Sequence, residues 1–128
     1  MATIKEDYVS FETAKLLKEK EFDEYCPESY FKMDKTLKKS GFSEWEKVNE
    51  IKAPTQSLTM KWLREVHKLS VRPRYEEVED ERERVYYFWF FDILSMSPYK
   101  TLVEIEQGYP TYEEACEAGI KYCLKYLI

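Results

Sequence analysis

The sequence predicts a single α+β domain over residues 1–128, in which a mainly antiparallel sheet of about four to five strands is packed by three helices in a single pair of layers. The strongest observation is the run Val85–Leu94, because, apart from Asp92, both alternating sets of its side chains are apolar or aromatic. Successive strand residues face opposite sides of a sheet, so this run needs cover on both sides. The second observation is a pair of amphipathic helical patterns, one after Thr55 and one after Thr111.

The composition indicates a well-folded, acidic chain. Its 128 residues have the size of one ordinary domain, and its 11 Tyr, 7 Phe and 3 Trp supply a large apolar area for one core. The formal net charge of −5 disfavours general attraction to nucleic acid or to an anionic membrane. The first residues lack a signal-peptide pattern, and the longest apolar run is about half a membrane span. We therefore expect a cytoplasmic protein with no membrane partner and no cofactor.

The first part of the chain is predicted to hold one helix and two short strands. Ser10 is placed to cap a first helix that runs to about Lys20 and lies at the periphery of the fold. Residues 30–33 and 48–52 have the apolar content of short strands. The charged residues between them, with Gly41, suit a loop.

A strong helix is predicted to follow the turn at Pro54. This proline disfavours helical angles in the residue before it, and Thr55 offers a capping hydroxyl. Residues 71–75 should then form an edge strand, because Pro73 cannot donate a ladder hydrogen bond. The helix should run to about Leu69, and its expected core face comprises Leu58, Trp62, Val66 and Leu69.

The last part of the chain is predicted to form a hairpin, a return strand and a closing helix. Residues 76–83 carry six acids and one base and should be a solvated connection into the aromatic strand. Residues 99–106 alternate as a return strand. Thr111 and Glu114 form a capping box, so the last helix should begin there and lie across the aromatic strand.

The three cysteines are expected to be reduced. Cys116 and Cys123 lie about 10 Å apart along the axis of the last predicted helix, which is too far for a disulfide between them. Cys26 could pair with only one of them. The chain contains no CxxC pair and only 1 His, so a structural zinc site lacks ligands at the right spacing.

Three segments of the chain resemble one protein family. Residues 53–67, APTQSLTMKWLREVH, resemble a segment of small hypothetical proteins from Bacteroides and their phages and prophages. Residues 8–14 are similar to the opening of those proteins, and residues 112–120, YEEACEAGI, to their closing helix. The resemblance implies a bacterial and mobile-element origin. It brings no catalytic residue with it, because no activity is assigned to that family.

Cys26 and His67 are the one candidate catalytic pair. His67 is the only imidazole and lies at the border of an apolar helix sector, and Cys26 is the one thiol outside a predicted helix. A thiol enzyme would also need a group that orients the imidazole. The sequence holds no phosphate-binding glycine loop, serine elbow or HExxH motif. A border histidine is usually structural, so we predict no catalytic site and no metal site.

A basic cluster suggests nucleic-acid binding as an alternative function. Such a cluster could contact phosphates while aromatic side chains of a nearby sheet stack on bases. The competing interpretation, which we favour, is a solvated face that pairs with the acids of residues 76–83. The members of the basic cluster are Lys61, Arg64, Lys68, Arg72 and Arg74.

The aromatic strand offers a third candidate surface. If helices cover only one face of the sheet, one of the two side-chain sets is left to bind another protein or a second copy of the chain. This set is either Tyr86, Phe88 and Phe90 or the opposite one, Val85, Tyr87, Trp89 and Phe91. If both faces are covered, the same residues belong to the core, and this is the favoured interpretation. The expected function is a small non-enzymatic protein-interaction or accessory module of phage or prophage type. Weak nucleic-acid binding is the alternative, and a thiol enzyme is the third candidate.

Overall fold

The computed structural model describes residues 4–41 and 43–128, which form four α-helices and six strands in two antiparallel sheets. The predicted α+β class with antiparallel pairing is confirmed. The helices are α1 (Phe11–Glu19), α2 (Glu44–Val48), α3 (Gln56–His67) and α4 (Tyr112–Tyr122), which continues as a π-helical turn at Cys123–Leu127. The strands are β1 (Glu28–Phe31), β2 (Leu37–Lys39), β3 (Glu50–Lys52), β4 (Leu69–Glu79), β5 (Val85–Met96) and β6 (Tyr99–Glu104).

The strands divide into a large and a small sheet. The large sheet has the order β4-β5-β6, so the aromatic strand β5 lies at its centre. The expected edge position of the strand that contains Pro73 is confirmed, and the acids after it extend that strand to Glu79. The small sheet has the order β2-β1-β3. Its strands are too short to show the periodicity from which a separate sheet could be inferred.

The three predicted helix caps are confirmed. The hydroxyl of Ser10 accepts a hydrogen bond from the N–H of Thr13 at 3.2 Å. Thr55 caps α3 in the same way at 3.1 Å, and Thr111 caps α4 at 3.1 Å. These local interactions satisfy backbone donors that a helix leaves unpaired in its first turn.

α4 packs on one face of the large sheet, which we call the helix side. Val71, Phe91 and Ile93 face this side, and they share one buried cluster with Ile120. Gly119 permits the close approach, because a Cβ atom there would lie 2.5 Å from Cγ1 of Val71. The closing helix therefore lies across the aromatic strand, as the sequence predicts.

α1 belongs to the same core, so the predicted peripheral position of the first helix is wrong. Thr13, Ala14 and Leu17 of α1 are buried. Glu117 of α4 joins the two helices: it accepts hydrogen bonds from the backbone N–H of Ser10 at 2.9 Å and from Oγ1 of Thr13 at 2.5 Å. A contact between segments near opposite ends of the sequence cannot be inferred from local periodicity.

The core face of α3 also differs from the prediction. Trp62 is buried as expected, but Val66 is 55% exposed. Val66 lies in the last turn, just before Lys68 ends the helix in the left-handed conformation (φ 57°) and β4 begins. The buried residues of α3 are Gln56, Thr59, Met60, Trp62 and Leu63.

No helix in the described residues has the length and apolar character needed to cross a membrane.

Candidate protein-interaction surface

The aromatic strand β5 is buried over only half of its length. Residues 90–94 are all buried, whereas Val85, Tyr86 and Tyr87 are 45%, 40% and 55% exposed. The expectation of cover on both sides therefore holds for the inner half and is wrong for the outer half. The ladder with β6 stops at Asp92, and a single bridge at Trp89 is the last pairing on that side. Residues 75–88, which project beyond this point as two strands and a turn, form what we call the outer hairpin.

The helix side of the outer hairpin carries a row of aromatic rings. Across the ladder between β4 and β5, Tyr75 lies opposite Trp89, and Tyr87 lies opposite Glu77. The rings of Tyr75 and Tyr87 stack with their centres 5.8 Å apart. Tyr75 also contacts Trp89 at 4.9 Å, and Trp89 packs edge-on against Tyr112 of α4 at 5.1 Å. Tyr112 is the first residue of α4, so the row runs from the start of this helix along the outer hairpin into solvent. Exposed aromatic rings in a continuous row are characteristic of protein-binding surfaces.

The opposite face of the large sheet, which we call the open side, holds Tyr86, Phe88 and Phe90. Tyr86 and Phe88 stack at 6.4 Å, and Phe88 is half-buried because the backbone of Gly108 lies against it. Phe90 is only 6% exposed, and the guanidinium of Arg74 lies 5.0 Å from its ring centre. Of the three residues predicted to bind a partner, Tyr86 and Phe88 are therefore accessible, whereas Phe90 is buried.

A buried carboxylate organises the charges on the open side. Asp92 is almost fully buried, and it accepts hydrogen bonds from Arg72 at 3.0 Å and from Arg74 at 3.1 Å. Arg74 also pairs with Glu76. These side chains satisfy one another, so the inner part of the open side is charged but locally neutralised.

The structure divides the predicted basic cluster. Arg72 and Arg74 face the open side, where Asp92 neutralises them. Lys61 and Arg64 lie on α3, whose buried side faces the core from the helix side of the sheet. The two pairs therefore point away from the core in different directions. Lys68 is exposed at the C-terminal end of α3, and its ammonium group donates to the backbone oxygen of Glu65 at 3.0 Å.

The turn of the outer hairpin is ordered and acidic. Asp80 accepts hydrogen bonds from the backbone N–H groups of Arg82 at 2.9 Å and Arg84 at 3.0 Å, and pairs with the Arg84 side chain at 2.7 Å. The backbone hydrogen bond from Arg84 is the main cause that lowers the pKa of Asp80. The other acids of the turn, Glu81 and Glu83, are exposed. The predicted solvated connection is therefore too long: residues 76–79 belong to β4, and residues 80–83 lie in a well-formed turn that carries negative charge at the end of the hairpin.

β5 also has a free backbone edge along the outer hairpin. Trp89 exchanges two backbone hydrogen bonds with Tyr109, at 2.8 and 2.7 Å, on the side of β5 that faces β6. Because strand residues alternate, the N–H and C=O groups of Tyr87 and Val85 point the same way. Within residues 4–41 and 43–128, no backbone hydrogen bond reaches Tyr87 or Val85 from that side. The chain turns away at Pro110 to begin α4.

The candidate catalytic pair is not joined by a hydrogen bond in the described residues. Cys26 lies 3.5 Å from the backbone oxygen of Glu24, while His67 packs edge-on against Trp62 at 4.7 Å. Burial raises the pKa of Cys26, which disfavours the thiolate that a nucleophile needs. The three thiols are free and buried, and the described side chains form no cluster suited to a metal ion.

Sequence reasoning singled out the aromatic strand but missed the free edge and Tyr75. A signal for the edge was present, because the predicted return strand, residues 99–106, is shorter than the aromatic strand that it accompanies. With a tight turn at residues 97–98, Glu106 comes level with about Trp89, and the residues before it have no partner on that side. Tyr75 could have been found by extending the alternation of the preceding strand past Pro73.

No family model, curated protein or solved structure matches the chain. The resemblance of residues 53–67 to proteins from Bacteroides and their phages stays an expectation from sequence. The geometry of the outer hairpin is therefore the basis for assigning a function.

Proposed function

We propose that the chain is a small non-enzymatic protein-interaction module, of the accessory type encoded by bacterial phages and prophages, and that the outer hairpin binds another polypeptide. The observation that carries the proposal is the exposure of aromatic rings on both sides of a two-stranded ribbon. Tyr75 and Tyr87 lie on the helix side, and Tyr86 and Phe88 lie on the open side. A two-stranded hairpin by itself is marginally stable in water, and pairing with a third strand or packing against another element would stabilise it.

The kinds of side chain on the outer hairpin support a protein partner. Tyrosine and tryptophan combine a large apolar area with a polar group and few rotatable bonds, and they dominate the binding energy of many interfaces. The rings of Tyr75, Tyr87 and Trp89 already hold one another in place. Less conformational entropy is therefore lost when a partner covers them.

Nucleic acid is a less well supported partner. Phosphate binding depends on positive charge that is free to replace counterions. Arg72 and Arg74 are engaged by Asp92, and the acidic turn lies on the same hairpin. We expect no salt-dependent affinity for an oligonucleotide in a fluorescence anisotropy titration. Affinity that disappears on charge reversal at Arg64 and Arg72 would instead favour nucleic acid.

Site-specific photo-crosslinking in cells tests the proposed function. The photoreactive residue p-benzoylphenylalanine replaces Tyr87 in one variant and Tyr25, which is 82% exposed on another part of the surface, in a matched control. We expect a discrete heavier product from the variant at position 87 and none from the control, with the partner identified by mass spectrometry. The proposal fails if position 87 gives no product on irradiation, or if both positions give the same products.

A further inference from the structure

We infer that residues 85–88 of β5 accept an extended polypeptide segment as an added antiparallel strand, and that this segment is apolar at its centre and basic at its ends. The inference rests on the proposed function and gives its binding mode and the chemistry of the partner. In strand addition, main-chain hydrogen bonds supply affinity, while the side chains next to the new strand supply specificity.

The backbone leaves an empty strand position directly beyond Tyr109. The return chain pairs with Trp89 and then departs at Pro110, so the next antiparallel positions, opposite Tyr87 and Val85, are unfilled by the described chain. Each of these two residues presents one N–H and one C=O group toward that position. A segment of about four residues, at about 3.4 Å per residue, has the length to pair with both.

The two edges of the outer hairpin differ in how they are protected. The β4 edge contains Pro73, and Glu77 and Glu79 follow along the same strand. Proline and charged side chains are the usual means by which an edge strand avoids pairing with other chains. Residues 85–88, Val-Tyr-Tyr-Phe, contain neither proline nor charge. The unprotected edge is therefore the one on β5.

The side chains around the empty position are apolar on both sides of the sheet. Val85 and Tyr87 would flank an added strand on the helix side, and Tyr86 and Phe88 would flank it on the open side. Cross-strand neighbours of this type favour β-branched or aromatic side chains on both faces of the new strand. The centre of the partner segment should therefore be apolar on both faces.

Both ends of the empty position are acidic. At the outer end, Glu81 and Glu83 of the turn are exposed, and Arg84 is already paired with Asp80 at 2.7 Å, which leaves Arg82 as the one other base of the turn. At the inner end, α4 begins beside Trp89, and its first turn carries Glu113 and Glu114. Lysine or arginine at both ends of the partner segment would complement these charges.

A second copy of this chain is a poorer match than a basic segment. Two copies that paired antiparallel through residues 85–88 would form a two-fold interface. Each acidic turn would then lie against the first turn of α4 in the other copy, where Glu113 and Glu114 are exposed. Like charges brought together across an interface disfavour that pairing.

Calorimetric titration of the whole chain with synthetic peptides tests the inference. The probe is a capped peptide with a short valine–isoleucine centre and lysines at both ends. The two control peptides carry glutamates in place of the lysines, or N-methyl groups on alternate backbone nitrogens of the centre. Two protein variants separate backbone from side chain: Tyr87→Val removes the ring and keeps the N–H, whereas Tyr87→Pro removes both. Proline is tolerated at this position because the lost N–H faces a free edge.

We expect the lysine peptide to bind the wild-type chain and the Tyr87→Val variant, and to bind Tyr87→Pro about tenfold or more weakly, since backbone pairing is lost. The glutamate and N-methylated peptides should bind about tenfold or more weakly than the lysine peptide. Strand addition is overturned if the lysine peptide does not bind, if Tyr87→Pro binds as well as Tyr87→Val, or if N-methylation has no effect. Equal affinity for the glutamate peptide would overturn the basic character of the partner.

Light scattering on the same samples tests whether a second copy of the chain occupies the free edge. A dimer of the wild-type chain that dissociates in Tyr87→Pro would assign the edge to a second copy and would overturn the inference of a basic partner. Crosslinking from position 87 together with failure of the lysine peptide would leave the proposed function standing and remove only the binding mode. Failure of both experiments would remove the proposed function as well.

Discussion

Replacing Gly119 by alanine tests how closely α4 packs on the helix side of the large sheet. A Cβ atom at this position would lie 2.5 Å from Cγ1 of Val71 and 3.3 Å from Cδ2 of Phe91. Val71 is β-branched and lies within β4, so its side chain cannot rotate away at low cost. Overpacking of this kind costs about 1–3 kcal/mol, and so short a contact belongs in the upper half of that range. Alanine recovers about 1 kcal/mol of helix propensity, which leaves a net loss of about 1–2 kcal/mol.

Urea denaturation of a double-mutant cycle measures this effect. The cycle comprises the wild-type chain, Gly119→Ala, Val71→Ala and the double variant. Val71→Ala removes the methyl group that the new Cβ would meet, and the gain in helix propensity is the same with or without it, so we expect the double variant to recover about 2–3 kcal/mol relative to the sum of the single changes. The reasoning is refuted if Gly119→Ala is at least as stable as the wild-type chain, or if the two changes are additive.

Three further predictions concern stability. Burial raises the pKa of Cys116 to about 11 and of Cys123 to about 12, above the ordinary value of 9.0, so both thiols stay protonated in the folded chain while the unfolded chain releases their protons. The free energy of unfolding should therefore be insensitive to these groups below about pH 9 and should fall by about 1.4 kcal/mol per pH unit for each thiol between about pH 9 and pH 11. Urea titrations at stepped pH measure this free energy, and it should fall less steeply with pH in Cys123→Ala than in the wild-type chain. Glu117→Ala should cost about 2–3 kcal/mol, because the backbone N–H of Ser10 and the buried hydroxyl of Thr13 lose their acceptor, and a loss below about 0.5 kcal/mol would contradict the role of this contact. Tyr75→Ser should cost only about 1 kcal/mol, since the residue is 57% exposed, against about 3–5 kcal/mol for Phe91→Ala. Equal losses would mean that the outer hairpin is part of the core.

Features that depend on neighbouring residues were predictable from the sequence. The caps at Ser10, Thr55 and Thr111 need only a hydroxyl at the right spacing from the first turn, and all three form. The edge position of β4 likewise follows from Pro73 alone, because proline lacks the N–H that an interior strand requires.

Features that depend on distant parts of the chain were not predictable. The contact between Glu117 and Thr13 joins residues 104 positions apart, and no local pattern indicates it. The burial of α3 was misassigned at Val66, because helical periodicity gives the direction of a side chain and not where the neighbouring sheet ends. The position of α1 in the core was missed for the same reason.

The aromatic strand shows both the strength and the limit of sequence reasoning. The alternation over Val85–Leu94 indicates that both sides of the strand need apolar contacts, and the inner half receives them within the chain. Sequence cannot say whether that cover comes from the same chain or from another. The return chain makes its last pairing with β5 at Tyr109, so within the described residues the outer half has no strand partner on that side.

Residue-resolved amide hydrogen exchange along β5 tests the central claim most directly. The N–H groups of Val85, Tyr87 and Ile93 all point toward the edge that faces β6, but along that edge only Ile93 has a strand partner in the described chain. The account predicts that Val85 and Tyr87 exchange close to the rate of an unstructured chain, while Ile93, which is fully buried, is strongly protected. Binding of the lysine-ended peptide should then protect Val85 and Tyr87. Strong protection of both amides in the free monomer would contradict the account.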